Sequence, residues 1–359
     1  MSTITETMTK TEQASTPKSL DQKKPQIGSK PHMMTATWHL KDPSEWDFWQ
    51  RFLIRLNVLQ QPAGCPPAPL KEGTKVPYYP VWRQHLWIAP RAALPLLIHH
   101  AYMRLTGWTL HPVAAFFFYF FSFKIFAVAS VRKFNRLALR YGYFDGKVPR
   151  DGVPDVMSRK VALSMLLTIS IRPLFALFVA YDRYELPTLS PWLPLQIFAY
   201  ACILDFYFYI YHRAMHEVPW LWKHHALHHR TKHPNPLLSA FADSEQEWGD
   251  ILVIPLLTWL TMPISFSTWW MCTLYILYTE AMGHSGVRLY WQTPTTGPIL
   301  RLFDMDLCLE DHDQHHRNGW RKSSNYGKQT RLWDTIFGST RSRIECTEDN
   351  IDWVNTPWW

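Results

Sequence analysis

Six of the chain's 17 histidines fall within the stretch from His212 to His229, where its average frequency over 359 residues would place fewer than one. His212 and His216 stand at i and i+4, and His225, His228 and His229 at i, i+3 and i+4, so one helical face presents each set, as metal ligands require. His312, His315 and His316 repeat the second spacing further along. Eight imidazoles without a companion thiolate exceed one tetrahedral zinc. They suit two first-row ions accepting five or six ligands each, and two non-haem irons are the natural choice. Such a pair uses dioxygen as co-substrate to attack an unactivated C–H bond, with electrons from outside. His284, in Gly283-His284-Ser285-Gly286, is expected beside them as a ninth ligand. His224 and His233 are read as supports or spares, and the isolated His32, His39, His85, His99, His100 and His111 as structural.

Two carboxylates belong to the same reading. Asp205 lies seven residues before His212 on nearly the same helical face, inside an apolar segment, and is expected to orient a metal-bound imidazole. Glu280, four residues before His284, is either a further ligand or a hydrogen-bond partner for a ligand's outer nitrogen. Glu245, Glu247 and Asp250 read as solvated. The ligand chemistry alone leaves a zinc-dependent lipid hydrolase and a non-catalytic metal-binding membrane protein as alternatives. A zinc protease is disfavoured, because Glu217 after His216 is followed by Val218, Pro219 and Trp220 and HExxH fails. No His-Pro-Gly-Gly haem element occurs, so the electron donor must be another chain.

The elements that must carry these groups are helical and apolar. Membrane-length segments cover residues 84–106, 111–131, 160–181 and 191–211, interrupted by Arg91, Lys124, Arg172 and Asp205. An apolar block at 251–278, broken at Met262-Pro263, reads as a helical hairpin. The expected fold is all-α: a polytopic membrane bundle of about four spans plus this hairpin, capped by a cytosolic histidine-rich helical domain. The 19 Trp, 16 Tyr and 20 Phe suit membrane interfaces, and the mean hydropathy of −0.19 averages polar ends with an apolar middle. Basic residues crowd the loop between the second and third segments (Arg132, Lys133, Arg136, Arg140, Arg150), which the positive-inside rule puts in the cytosol with every histidine cluster. The net charge of +8 is thus a topology signal, with no nucleic-acid motif.

Residues 1–35 read as a disordered polar tail without a signal peptide. Residues 36–80 read as an amphipathic helix, capped by Asp42, Pro43 and Glu45, followed by a proline-rich connector. Residues 81–187 are membrane helices, 188–342 the histidine domain, and 343–359 a C-terminal tail. Five scattered cysteines without a CxxC pair fit a reducing, cytosol-facing environment.

These motifs resemble the fatty acid hydroxylase and sterol desaturase superfamily of membrane histidine-box oxygenases. His212-Arg213-Ala214-Met215-His216, His225-Ala226-Leu227-His228-His229, His284-Ser285-Gly286 and His312-Asp313-Gln314-His315-His316 look like its boxes. Asn325-Tyr326-Gly327 and Leu332-Trp333-Asp334 resemble its closing elements. The resemblance implies a diiron site, a lipid substrate, an endoplasmic-reticulum membrane and electrons from cytochrome b5 or an NAD(P)H-dependent reductase. With Glu280 where acyl-chain hydroxylases carry an additional histidine pair, the chain looks nearer the sterol desaturase, methyl-sterol oxidase and sphingoid-base hydroxylase branches.

Overall fold

The computed structural model describes residues 34–60, 73–146 and 148–356. The tail expected at 1–35 lies almost wholly outside them, as does most of the proline-rich connector. The expected N-terminal helix begins later than its sequence suggests. Asp42 caps only a single 3-10 turn, Pro43–Glu45, by accepting from the Ser44 N–H. Helix α1, Phe48–Leu56, starts behind Asp47, which with Gln50 forms a reciprocal capping box, and it ends at the left-handed Asn57.

Four long helices follow: α2 (Val81–Thr106), α3 (Pro112–Tyr141), α4 (Ser158–Ala180) and α5 (Leu193–Glu217). The last three are long and apolar enough to cross a membrane. Although α2 is as long, it carries Arg83, His85, Arg91, His99 and His100 and has Pro90 and Pro95 inside it. Leu94, Leu97, Phe117, Phe121 and Ile125 are exposed on α2 and α3, a surface suited to lipid chains. Next come α6 (Pro219–His225), α7 (Ser244–Trp248), a π-helical turn (Gly249–Val253), α8 (Ile254–Thr261) and α9 (Phe266–Gly283).

The hairpin break stands where expected: α8 ends at Thr261, and Ser265 caps α9. What the sequence does not convey is that α9 is the central post. Fifteen of its 18 residues are buried, and it packs on α2, α3, α4 and α5. Indole N–H groups tie it in, Trp269 to the Tyr200 hydroxyl and Trp270 to the Ala92 carbonyl, both at 2.8 Å.

The remaining elements, α10 (Gly297–Leu300), α11 (Leu309–Asn318) and α12 (Leu332–Ile336), close over one end of the bundle. The basic loop expected after the second segment is mostly helix, because Arg132, Lys133, Arg136 and Arg140 lie on α3 itself; the connection that follows α3 meets the same end, where the Phe144 N–H donates to the Gly286 carbonyl and the His233 N–H to Asp151. The stretch 343–359, expected as a tail, is fastened where it is described. The Glu310 carboxylate accepts from the N–H groups of Ile344, Glu345 and Cys346, and β2 (Ile351–Asp352) pairs in parallel with β1 (Val76–Pro77).

Candidate metal centre

The nine histidines named from sequence converge, and they do so as two groups. His212, His216, His225, His229 and His315 each bring a ring nitrogen within 4.8 Å of the others, and His228, His284 and His316 do the same separately. His312 joins the second group, its Nε2 lying 3.2 Å from that of His284. One expectation is corrected. The second box does not lie on one helix face, because α6 ends at His225 and a 3-10 turn begins at His228. The HxxHH spacing serves division instead: neighbouring residues on a helix point about 100° apart. Thus His229 and His315 go to the first group, while His228 and His316 go to the second. Each doublet feeds both sites.

Seven of the nine outer ring nitrogens are held by oxygen acceptors, while Nδ1 of His229 and of His312 is buried without a hydrogen-bond partner among the described residues. Nδ1 of His212 donates to the Tyr326 carbonyl (2.7 Å), His216 to Trp320 (2.6 Å), His315 to Ser324 (2.7 Å) and His316 to Thr231 (2.9 Å). His228 uses the Phe241 carbonyl (3.1 Å), His284 that of Glu280 (2.7 Å), and His225 the Gln246 side-chain oxygen (2.8 Å). With the proton on Nδ1, each Nε2 carries a lone pair toward its group. These Nε2 atoms then face one another at 3.0 Å (His212 and His225), 3.1 Å (His225 and His216) and 3.3 Å (His284 and His228). Opposed lone pairs at such distances repel, and a cation between them removes the conflict. The buried His316 Nε2 has no hydrogen-bond partner among the described residues. The donor set therefore fits two metal ions.

Burial and neighbouring imidazoles push His225, His229, His312, His315 and His316 well below the ordinary histidine range. Burial brings His228 to about 3 and His284 to about 4. All are neutral near pH 7, the form that binds metal.

The two carboxylates act one step away from the imidazoles. Asp205 makes no hydrogen bond to a histidine among the described residues. Its fully buried carboxylate accepts from the N–H groups of Lys328, Gln329 and Thr330 and from the Thr330 hydroxyl, pinning the loop that carries the Tyr326 carbonyl to His212. Asp334 holds the same loop through the N–H groups of Tyr326 and Gly327. Asn325 takes the left-handed conformation, and a Cβ on Gly327 would collide with the Thr330 carbonyl. The Asn-Tyr-Gly and Trp-Asp elements are thus a bracket for one imidazole. Glu280 supports His284 through its main-chain carbonyl, a consequence of helix geometry, while its carboxylate pairs with Arg172 and Lys328. His224 stays outside both groups beside Glu245, and His233 is tied to Asp151. Gln246, unnoticed in sequence between Glu245 and Glu247, supports a candidate ligand directly.

The third box is braced by its own acids. Asp311 pairs with Arg343 at 2.8 Å, and Asp313 with Arg150 at 2.6 Å and Arg317 at 2.8 Å. Gly286 has φ of +61°, and the Arg150 guanidinium occupies the space a Cβ would need. Beside both histidine groups lies a cavity. Its walls include Val58, Ala127, Val131, Met165, Leu237 and Leu277, and it reaches His212, His225, His228, His284 and His312.

A family model described as Fatty acid hydroxylase matches residues 197–339. A fatty acid hydroxylase of a Lecanicillium species is 40% identical over 291 residues, spanning 75% of this chain and 80% of its own. A very-long-chain aldehyde decarbonylase of Oryza sativa subsp. indica is 30% identical over 223 residues, 58% of this chain and 77% of its own. A methylsterol monooxygenase of Arabidopsis thaliana is 29% identical over 202 residues, 54% and 71% of the two chains. No solved structure matches the chain.

Proposed function

Because the chain belongs to the fatty acid hydroxylase family, we propose that it is a membrane-bound non-haem diiron oxidoreductase that hydroxylates or desaturates a lipid. The observation that carries this reading is the pair of converging, carbonyl-locked imidazole groups opening on an apolar cavity. When bound, two irons supply the reduction of dioxygen and the removal of hydrogen from an unactivated C–H bond. His212, His216, His225, His229 and His315 would hold one ion, and His228, His284, His312 and His316 the other.

The chain's own part is positioning and exclusion. Carbonyls fix the ring tautomers before metal arrives, which limits reorganisation on binding. Apolar side chains on α3, α4 and α9 keep bulk water from the histidines and hold the reacting carbon beside them. The names of the relatives cover a fatty acid, a very-long-chain aldehyde and a methylsterol, which supports a long apolar substrate with an oxygen function. Electrons come from cytochrome b5 or an NAD(P)H-dependent reductase. The endoplasmic-reticulum membrane, with the histidine end toward the cytosol, fits the basic residues on the last turns of α3.

The test is reductant-dependent oxidation of lipids by iron-loaded protein in bilayer discs under isotopically labelled dioxygen, with His228→Ala alongside. The expected result is labelled or desaturated product from the native protein only. Product formed without dioxygen, or equally by the variant, would overturn the reading.

A further inference from the structure

Arg172, on the candidate membrane helix α4, is buried and donates to the Glu280 carboxylate at 2.9 Å, while the Lys328 ammonium reaches the same carboxylate at 3.1 Å. The π-helical turn after α7 brings Asp250 to the same wall of the large cavity. A second, smaller cavity, lined by α4, α5, α8 and α9, shares these four residues. The charged cluster is therefore the polar junction of two otherwise apolar spaces. It also lies near the second histidine group, since His228, His284 and His312 line the same cavity.

A strut between α4 and α9 would need one cation and one carboxylate, with every polar atom closed. This cluster spends two cations on Glu280 and still leaves Arg172 Nε and Asp250 Oδ1 buried without a hydrogen-bond partner among the described residues. Burying polar atoms that no partner closes is costly, and ionisable groups within a membrane segment mark functional sites. The open donor and the open acceptor line a cavity wall, where a ligand can close them.

We propose that Arg172, Lys328, Glu280 and Asp250 form the head-group site of the cavity. It takes the polar oxygen function of an amphiphilic lipid, carboxylate or hydroxyl, and thereby sets which carbon lies beside the histidines. The Arg172 and Lys328 cations donate to that oxygen, and Asp250 accepts a hydroxyl proton where one is present. The proposal rests on the lipid-oxidising reading for the consequence of binding, while the binding itself is measurable without turnover.

The test measures competition with a labelled fatty acid in bilayer discs, corrected for partition into empty discs. Three probes of equal chain length are used: a carboxylic acid, the primary alcohol and the n-alkane. The native protein is expected to favour the acid or the alcohol over the alkane by about tenfold or more, equivalent to about 1.4 kcal/mol. The acid and alcohol arms identify which oxygen function is preferred. Arg172→Gln and Lys328→Gln are expected to shrink that ratio to about threefold or less, with metal content retained. Lys328→Gln leaves the Arg172–Glu280 pair in place should Arg172→Gln fail to fold. In an active preparation both variants also scatter the oxidised position along the chain. Equal binding of alkane and acid by the native protein, or an undiminished ratio in Lys328→Gln, would overturn the proposal. A protein that discriminates among the probes but shows no dioxygen-dependent product would keep the head-group site and discard the oxygenase reading.

Discussion

Asp205→Asn is the most informative single substitution, because it exchanges one oxygen for an NH2 group and leaves the shape intact. In the native chain Oδ1 accepts from Lys328 N at 2.8 Å and Gln329 N at 2.9 Å, while Oδ2 accepts from Thr330 N at 3.0 Å and the Thr330 hydroxyl at 2.6 Å. An asparagine has one acceptor oxygen, so whichever way its amide turns, an NH2 group faces two donors. The hydroxyl can rotate away, but a main-chain N–H cannot. With the NH2 on the Thr330 side, where the hydroxyl turns to accept from it, one charge-assisted main-chain bond at about 1.5–3 kcal/mol is lost and the others lose their charge assistance, a deficit of about 2–4 kcal/mol. The displaced loop carries the Tyr326 carbonyl off His212 Nδ1, and loss of such a support typically costs about 10–100-fold in metal affinity. The assay is thermal unfolding of the metal-free protein in bilayer discs, with metal content measured separately. The variant should melt roughly 5–15 °C lower and hold less metal. An unchanged melting temperature together with full metal content would refute the reasoning.

Further expectations follow from the same contacts. Gly286→Ala puts a Cβ where the Arg150 guanidinium lies, at φ of +61°, so it should break the Arg150–Asp313 pair and destabilise by about 2 kcal/mol or more, read in the melting temperature. Truncation after Ser342 removes three N–H donors from the buried Glu310 carboxylate and should cost about 3–5 kcal/mol; equal stability of the shortened chain would contradict the strap. The metal-stripped protein should be acid-sensitive. With His228 at about 3 and His284 at about 4 when folded, against roughly 6.5 unfolded, the unfolded chain takes up protons first. Stability is therefore intact above pH 6.5 and falls as pH drops toward 4, by up to about 1.4 kcal/mol per pH unit for each such group. A melting temperature that rose between pH 7 and 5 would contradict this.

Sequence spacing made eight of the nine histidines visible, because i, i+3 and i+4 offsets survive folding as shared directions, and His284 was legible only from its place at the end of the apolar hairpin. Spacing could not show how they divide, since that depends on the helix stopping at His225 and turning as a 3-10 coil at His228. Asp205 was legible as a buried charge, but its partners lie more than a hundred residues away on a loop whose path only tertiary packing sets. Gln246 gave no signal, as a lone glutamine in a polar stretch looks solvated until its oxygen is seen on His225. The hairpin break at Met262-Pro263 was local and therefore readable. The burial of α9 on all sides was not, because an apolar helix reads the same in lipid and in a core.

The division of the two HxxHH boxes is the central claim, and metal counting tests it directly. Iron per chain should be about two in the native protein loaded without oxygen. His229→Ala and His228→Ala should each keep about one, and the retained ions should differ in their spectroscopic signatures, because each variant empties a different group. About one iron in the native protein, or the same retained ion in both variants, would contradict the account.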